Sequence, residues 1–119
     1  MAQHNDLGKQ GEEQAVAFLQ QQGYSIRETN WIFDKAEIHI IAQKGNTLAV
    51  VEVKTRSSIE LGLPQEFVTP KKIKLLVKAI DQYICLHELD VQVRFDIIAV
   101  HKIYNNFHIE HIEEAFLFF

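Results

Sequence analysis

Glu52 and Lys54, in the run Val-Val-Glu-Val-Lys, are the sharpest chemical feature of this 119-residue sequence. Side chains alternate faces along a strand, so a residue and its second neighbour point the same way. Hydrolysing a phosphodiester needs a hard divalent cation, held by carboxylate oxygens, to activate water and offset the charge developing on phosphate. A lysine beside the metal carboxylate can bind the scissile phosphate or orient the attacking water. Glu-x-Lys alone is short and common. Its weight comes from its surroundings.

The stretch from Ala36 to Lys54 reads as two strands joined by Gly45-Asn46, a two-residue Gly-X connection of the type II′ kind. That turn sets Lys44 opposite Thr47, His39 opposite Glu52 and Glu37 opposite Lys54. Glu37, His39, Glu52 and Lys54 are therefore expected on one face, with Ile38, Ile40, Val51 and Val53 on the other. Two carboxylates, an imidazole and an ammonium make poor core and good chemistry. They also read as a solvated sheet face in which Glu37–Lys54 and His39–Glu52 each contribute a few tenths of a kcal/mol.

The remaining elements must hold this hairpin. Leu7 to Gln22 reads as a helix with Ala15, Phe18 and Leu19 on its apolar stripe and Gly23 at C′. Gly8 and Gly11 sit in its first turns, where glycine weakens a helix by ~1 kcal/mol relative to alanine. They point to close approach by another backbone or a ligand. Glu12 and Glu13 suit the positive end of the helix dipole. Tyr24 to Phe33 reads as the first strand, and Thr55 to Gln65 as a loop leaving the charged end of the hairpin.

Thr69-Pro70 is an N-cap followed by proline at N1, and the helix it starts runs to about His87. Ile73, Leu76, Val77, Ile80 and Ile84 form its apolar stripe. Lys71, Lys74 and Lys78 share another face and, with Arg56, could hold a phosphate backbone or simply be solvated. Val91 to Val100 reads as a strand, Tyr104 to Asn106 as a turn, and Phe107 to Ile112 as a last strand. The final Ala-Phe-Leu-Phe-Phe covers the core or meets a second subunit. Helix, three strands, helix, two strands is the order of an α/β sandwich around a mixed sheet, expected as a single domain over 1–119.

Composition narrows the classes. Apolar content of 47% and charged content of 24% are ordinary for a soluble globular chain. No leader-like start opens the sequence, and no apolar run approaches the ~20 residues of a membrane helix. Cys85 is alone, which excludes an internal disulfide and fits a reducing cytoplasm. A net charge of −4 argues against a general electrostatic nucleic-acid binder but not against a nuclease, whose clustered carboxylates distort the count. His4, His87, His101, His108 and His111 lack metal-ligand spacing and read mostly as surface residues. There is no phosphate-binding glycine loop, nucleophile elbow or cysteine-based site.

Several short patterns occur in order along the chain. They are Gly8-x-x-Gly11-Glu12-x-x-Ala15, Gly23-Tyr24, Asn30, Glu37-Ile38-His39-Ile40-Ile41-Ala42, Val51-Glu52-Val53-Lys54-x-Arg56, Gly62-x-Pro64-x-Glu66, Arg94-Phe95-Asp96 and His111-Ile112-x-x-Ala115-Phe116. Together they resemble the UPF0102 (YraN-like) family. The resemblance implies a small bacterial cytoplasmic protein, a predicted nuclease of the restriction-endonuclease-like fold, distantly similar to archaeal Holliday junction resolvases.

By that resemblance Glu12 is the helix carboxylate, and Glu52 and Lys54 are the catalytic Glu-x-Lys. A divalent metal, Mg²⁺ or Mn²⁺, is expected on Glu12, His39 and Glu52, and DNA rather than RNA on Arg56, Lys71, Lys74 and Lys78. Branched DNA is an expected substrate, a homodimer would suit paired cuts, and no membrane partner is expected. The family's Gly-Glu-Ile-Asp reads here Ala36-Glu37-Ile38-His39. His39 thus stands where a metal-binding aspartate is expected, and imidazole is a softer donor that ill suits Mg²⁺. Three outcomes stay open: His39 ligates and shifts preference toward Mn²⁺, Glu37 substitutes, or the protein binds nucleic acid without cleaving it. A protein-interaction domain is the weaker alternative.

Overall fold

A computed structural model describes residues 2–57 and 68–116. The elements are α1 (Ala2–Gln21), β1 (Ser25–Phe33), β2 (Ala36–Lys44), β3 (Thr47–Arg56), α2 (Pro70–His87), β4 (Gln92–Ile103) and β5 (Asn106–Ile112). This is the expected α-β-β-β-α-β-β order of the restriction-endonuclease-like core. Helix α1 starts ahead of the expected Leu7, and β4 continues past the expected Val100. The stretch 58–67, most of the expected loop, lies outside the described residues.

The five strands lie in the order β1-β2-β3-β4-β5. Only β3 and β4 are parallel, so the sheet is mixed. A parallel neighbour needs a crossover, and the segment containing α2 supplies it. Helix α1 covers one face, where Ala15 and Leu19 pack with Ile40, Val51, Val53 and Ile98. Helix α2 covers the other, where Leu76, Ile80 and Tyr83 pack with Ile38, Ile41, Val50 and Phe95. Central β3 is therefore buried from Leu48 to Val53, as a strand covered on both faces must be.

Local signals behave as their chemistry dictates. Gly45 takes φ 59 while Asn46 is not left-handed, which suits the type II′ turn. Thr69 caps α2 by accepting the Lys72 N–H at 3.2 Å, with Pro70 in the first turn and Glu88 closing the helix at φ 51. At the C-terminal end, the Ala115 N–H donates to the Phe95 carbonyl at 2.8 Å, and the Phe116 ring lies 5.3 Å from that of Phe95. This part of the apolar ending covers the core. Residues 117–119 lie outside the described ones.

The hairpin departs from expectation where it matters most. Strands β2 and β3 pair only from Lys44↔Thr47 to Ile40↔Val51. Beyond that point β2 stays with β1, through Trp31↔Ile38, and β3 stays with β4, through Arg56↔His101. The two strands fork. Ile38 and Ile40, expected on one face with Val51 and Val53, are split: Ile38 joins the α2-side core and Ile40 the α1-side core. The split comes where the two strands part: the β1–β2 register runs on from Thr29↔Ile40 to Trp31↔Ile38 without a shift, while β2 no longer follows β3. The expected Glu37–Lys54 register is lost for the same reason, and exposed Glu37 instead stands opposite Ile32 of β1.

Candidate functional site

Glu52 lies at the mouth of the fork, on β3, one residue past the last paired position. Its neighbours Val51 and Val53 face α1, so alternation turns its carboxylate toward α2. The side chain is fully buried. Lys72 of α2 brings its Nζ to 2.7 Å from Oε1 as an ion pair. Neither oxygen has a hydrogen bond of good geometry from the described residues. A buried carboxylate normally recruits such donors.

His39 approaches Glu52 from the other side of the fork, with Nδ1 at 4.0 Å from Oε1. The same Nδ1 accepts the Val53 backbone N–H at 2.9 Å, a ladder donor that β2's backbone no longer serves. In the neutral ring the proton then belongs to Nε2, so neither nitrogen has a lone pair left for a metal. Lys54 sits beside them, half-buried. Burial holds its ammonium pKa below the usual 10.5, with Lys72 and Arg56 lowering it further and Glu52 pulling it back up.

Beside His39 and Lys54, on the α1 side, lies a cleft of ≈ 340 Å³ lined by Leu7, Gly8 and Glu12 of α1, His39 of β2, and Val53 to Arg56 of β3. Glu12 faces this cleft, and its Oε1 accepts from Asn30 Nδ2 at 3.2 Å. Asn30 holds a left-handed φ of 51 on β1. The close approach expected at the helix glycines occurs at Gly11 alone. A Cβ there would stand 1.9 Å from Thr55 Oγ1, whereas one at Gly8 would meet nothing within 4 Å. Helix α1 therefore lies directly on β3 through a side chain, and Gly11 brings the neighbouring Glu12 up to the fork.

Among the described residues, no group of three or more His, Cys, Asp or Glu is placed to hold a metal. A hard divalent cation needs less. Mg²⁺ keeps several waters and is commonly held by one or two carboxylates plus substrate phosphate. The under-satisfied oxygens of buried Glu52 fit the one-carboxylate end of that range, while Glu12 lines the adjacent cleft on the α1 side; His39, committed to Val53, does not add to it.

The basic residues separate. Arg56 lines the cleft and donates to the Thr55 carbonyl at 2.9 Å. Lys71 and Lys74 are exposed on α2. Lys78 pairs with Asp34 at 3.8 Å, both being well exposed. Lys72 was not anticipated, although a signal existed: it lies four residues before Leu76 and eight before Ile80, on the buried stripe of α2.

A second buried charge, Asp96, was also missed. Its carboxylate accepts from Arg94 Nε and Nη2, each at 2.9 Å, and from the Glu114 N–H at 3.2 Å. His111 Nε2 lies 2.8 Å away, and Arg94 also donates to the Tyr24 hydroxyl. Burial alone would raise the Asp96 pKa, but His111, Arg94 and the Glu114 N–H together hold it below the usual 3.8. His111 is thus no surface histidine; its side chain is 10% exposed. This cluster ties the segment after β5 to the middle of the sheet.

Residues 11–100 match the model of a family described as "Uncharacterised protein family UPF0102". The chain belongs to the UPF0102 family. A UPF0102 protein of Flavobacterium psychrophilum is 63% identical over 119 residues, covering all of both chains. One from Christiangramia forsetii is 56% identical over the same full length. One from Bacteroides thetaiotaomicron is 52% identical over 116 residues, 98% of this chain and 96% of that one. The UPF0102 match takes in Glu12, His39, Glu52, Lys54 and Lys72. No described helix is long and apolar enough to cross a membrane.

Proposed function

We propose that this protein binds nucleic acid and cleaves DNA, with a divalent cation, at the fork between β2 and β3. The observation that supports the reading is Glu52: a fully buried carboxylate without well-directed donors among the described residues, two residues from Lys54, which lines the neighbouring cleft. Glu52 and Glu12 would hold the cation. When bound, Mg²⁺ or Mn²⁺ supplies water activation and compensation of phosphate charge. Lys54 donates to the scissile phosphate, and Arg56, Lys71 and Lys74 guide the backbone. Branched DNA in the bacterial cytoplasm is the substrate class, with a two-fold dimer suited to paired cuts.

The test is cleavage of plasmid or four-way junction DNA with Mn²⁺. Wild type gives product and Glu52→Ala gives none. Cleavage that survives the substitution removes the site from the account.

A second reading is favoured by two contacts. Lys72 already neutralises Glu52, and the Val53 N–H already occupies His39. A protein with those commitments would bind nucleic acid without hydrolysing it. Its signature is a gel shift that weakens with salt and yields no product with any metal.

A further inference from the structure

Lys72 lies outside the Glu-x-Lys pattern, yet among the described residues it makes the shorter of the two ion pairs to Glu52. Its Nζ is 2.7 Å from Oε1, while the nearest His39 nitrogen is 4.0 Å away. Glu52 is fully buried, and Lys72 retains 33% side-chain exposure. The pair is therefore asymmetric. The carboxylate is fixed on the central strand, and the ammonium sits on a flexible stem with a route to solvent. Lys72 is also in the first turn of α2, whose Leu76 is buried one turn on. The helix can stay in place while the lysine head moves.

An ammonium and a divalent cation cannot both contact Oε1, because like charges a few ångströms apart in a partly buried site repel strongly. We infer that Lys72 is an exchangeable internal counter-ion. It holds Glu52 until a divalent cation takes its place, and its released ammonium then faces the phosphate backbone. This inference rests on the reading of Glu52 as a metal carboxylate. By linkage, phosphate that draws Lys72 away strengthens cation binding, and the cation strengthens phosphate binding. Without a divalent cation the lysine keeps its place on Glu52.

The measurement is Mn²⁺ binding without nucleic acid, read from the electron paramagnetic resonance signal of free Mn²⁺. Lys72→Met is expected to bind Mn²⁺ roughly tenfold more tightly than wild type, a modest share of the coupling seen for close charge pairs. Lys72→Arg keeps the counter-ion and stays near wild type. Glu52→Gln abolishes binding, and adding Lys72→Met to it restores nothing. Equal or weaker binding by Lys72→Met overturns the inference.

Removing one member of a buried pair can unfold a protein, so the wild type is probed as well. Acylation of Lys72, read by mass spectrometry, is expected to rise when Mn²⁺ is added. Unchanged labelling overturns the exchange, and if Mn²⁺-dependent cleavage persists, it does so without touching the proposed function. No Mn²⁺ binding by either wild type or Lys72→Met overturns both the exchange and the metal-dependent reading.

Discussion

His39 Nδ1 accepts the Val53 backbone N–H at 2.9 Å, across the point where β2 and β3 part. A side chain here does the work of a ladder carbonyl. His39→Ala leaves that N–H without its acceptor in a half-buried place, which costs about 1–3 kcal/mol. Denaturant unfolding checks it. His39→Asp supplies an acceptor oxygen and a negative charge, so it should keep most of the stability and raise Mg²⁺-supported cleavage above wild type. Stability lost without any gain in cleavage would show that the histidine does not limit the site.

Gly11 and Gly8 make a controlled pair. Gly11→Ala drives a methyl group into Thr55 and should lower stability by about 1–3 kcal/mol, the usual range for overpacking. Adding Thr55→Ala should recover part of that loss, since the nearest obstructing atom is Thr55 Oγ1. Gly8→Ala meets open space and should be neutral or stabilising by up to ~1 kcal/mol through helix propensity. Equal effects of the two substitutions in thermal unfolding would contradict the packing of α1 on β3.

Asp96 sets an acid limit on stability. Its folded pKa lies below its ordinary value of 3.8, so the unfolded chain binds the proton more readily. The stabilisation is present above pH 3.8 and is lost as pH falls through the folded value. Asp96→Asn should flatten that acid limb. At neutral pH it should cost about 3–5 kcal/mol, because Arg94 loses its buried partner. Melting midpoints across the acid range test both statements.

Lys71 and Lys74 should act as phosphate contacts. Replacing either by alanine should weaken binding similarly across DNA sequences and reduce the salt slope by about 1. Lys78, already paired with Asp34, should matter less. A larger effect from Lys78 in salt-titrated gel shifts would move the binding surface toward the β1–β2 turn.

The parts legible in the sequence were those fixed by local chemistry. Thr69-Pro70 marked the start of α2, Gly45-Asn46 marked the hairpin turn, and the order of elements along the chain followed from hydrophobic patterning. The fork was not legible, because a two-residue turn fixes register only while the ladder lasts, and the residues beyond Ile40 and Val51 answer to other strands. Lys72 was hidden by its type: a lysine among lysines reads as surface unless its position relative to Leu76 is weighed. Asp96 was hidden by distance, since its network reaches Tyr24, His111 and Glu114 from separate elements. Glu12 drew attention through family resemblance, whereas helix-start acidity alone did not separate it from Glu13.

Glu52 is proposed to carry the chemistry of the fork. The direct measurement compares wild type and Glu52→Gln on a four-way DNA junction with Mn²⁺, following bound and cleaved DNA on parallel gels. Both proteins should shift the junction, and only wild type should yield cleaved strands. Equal cleavage by Glu52→Gln would contradict the account.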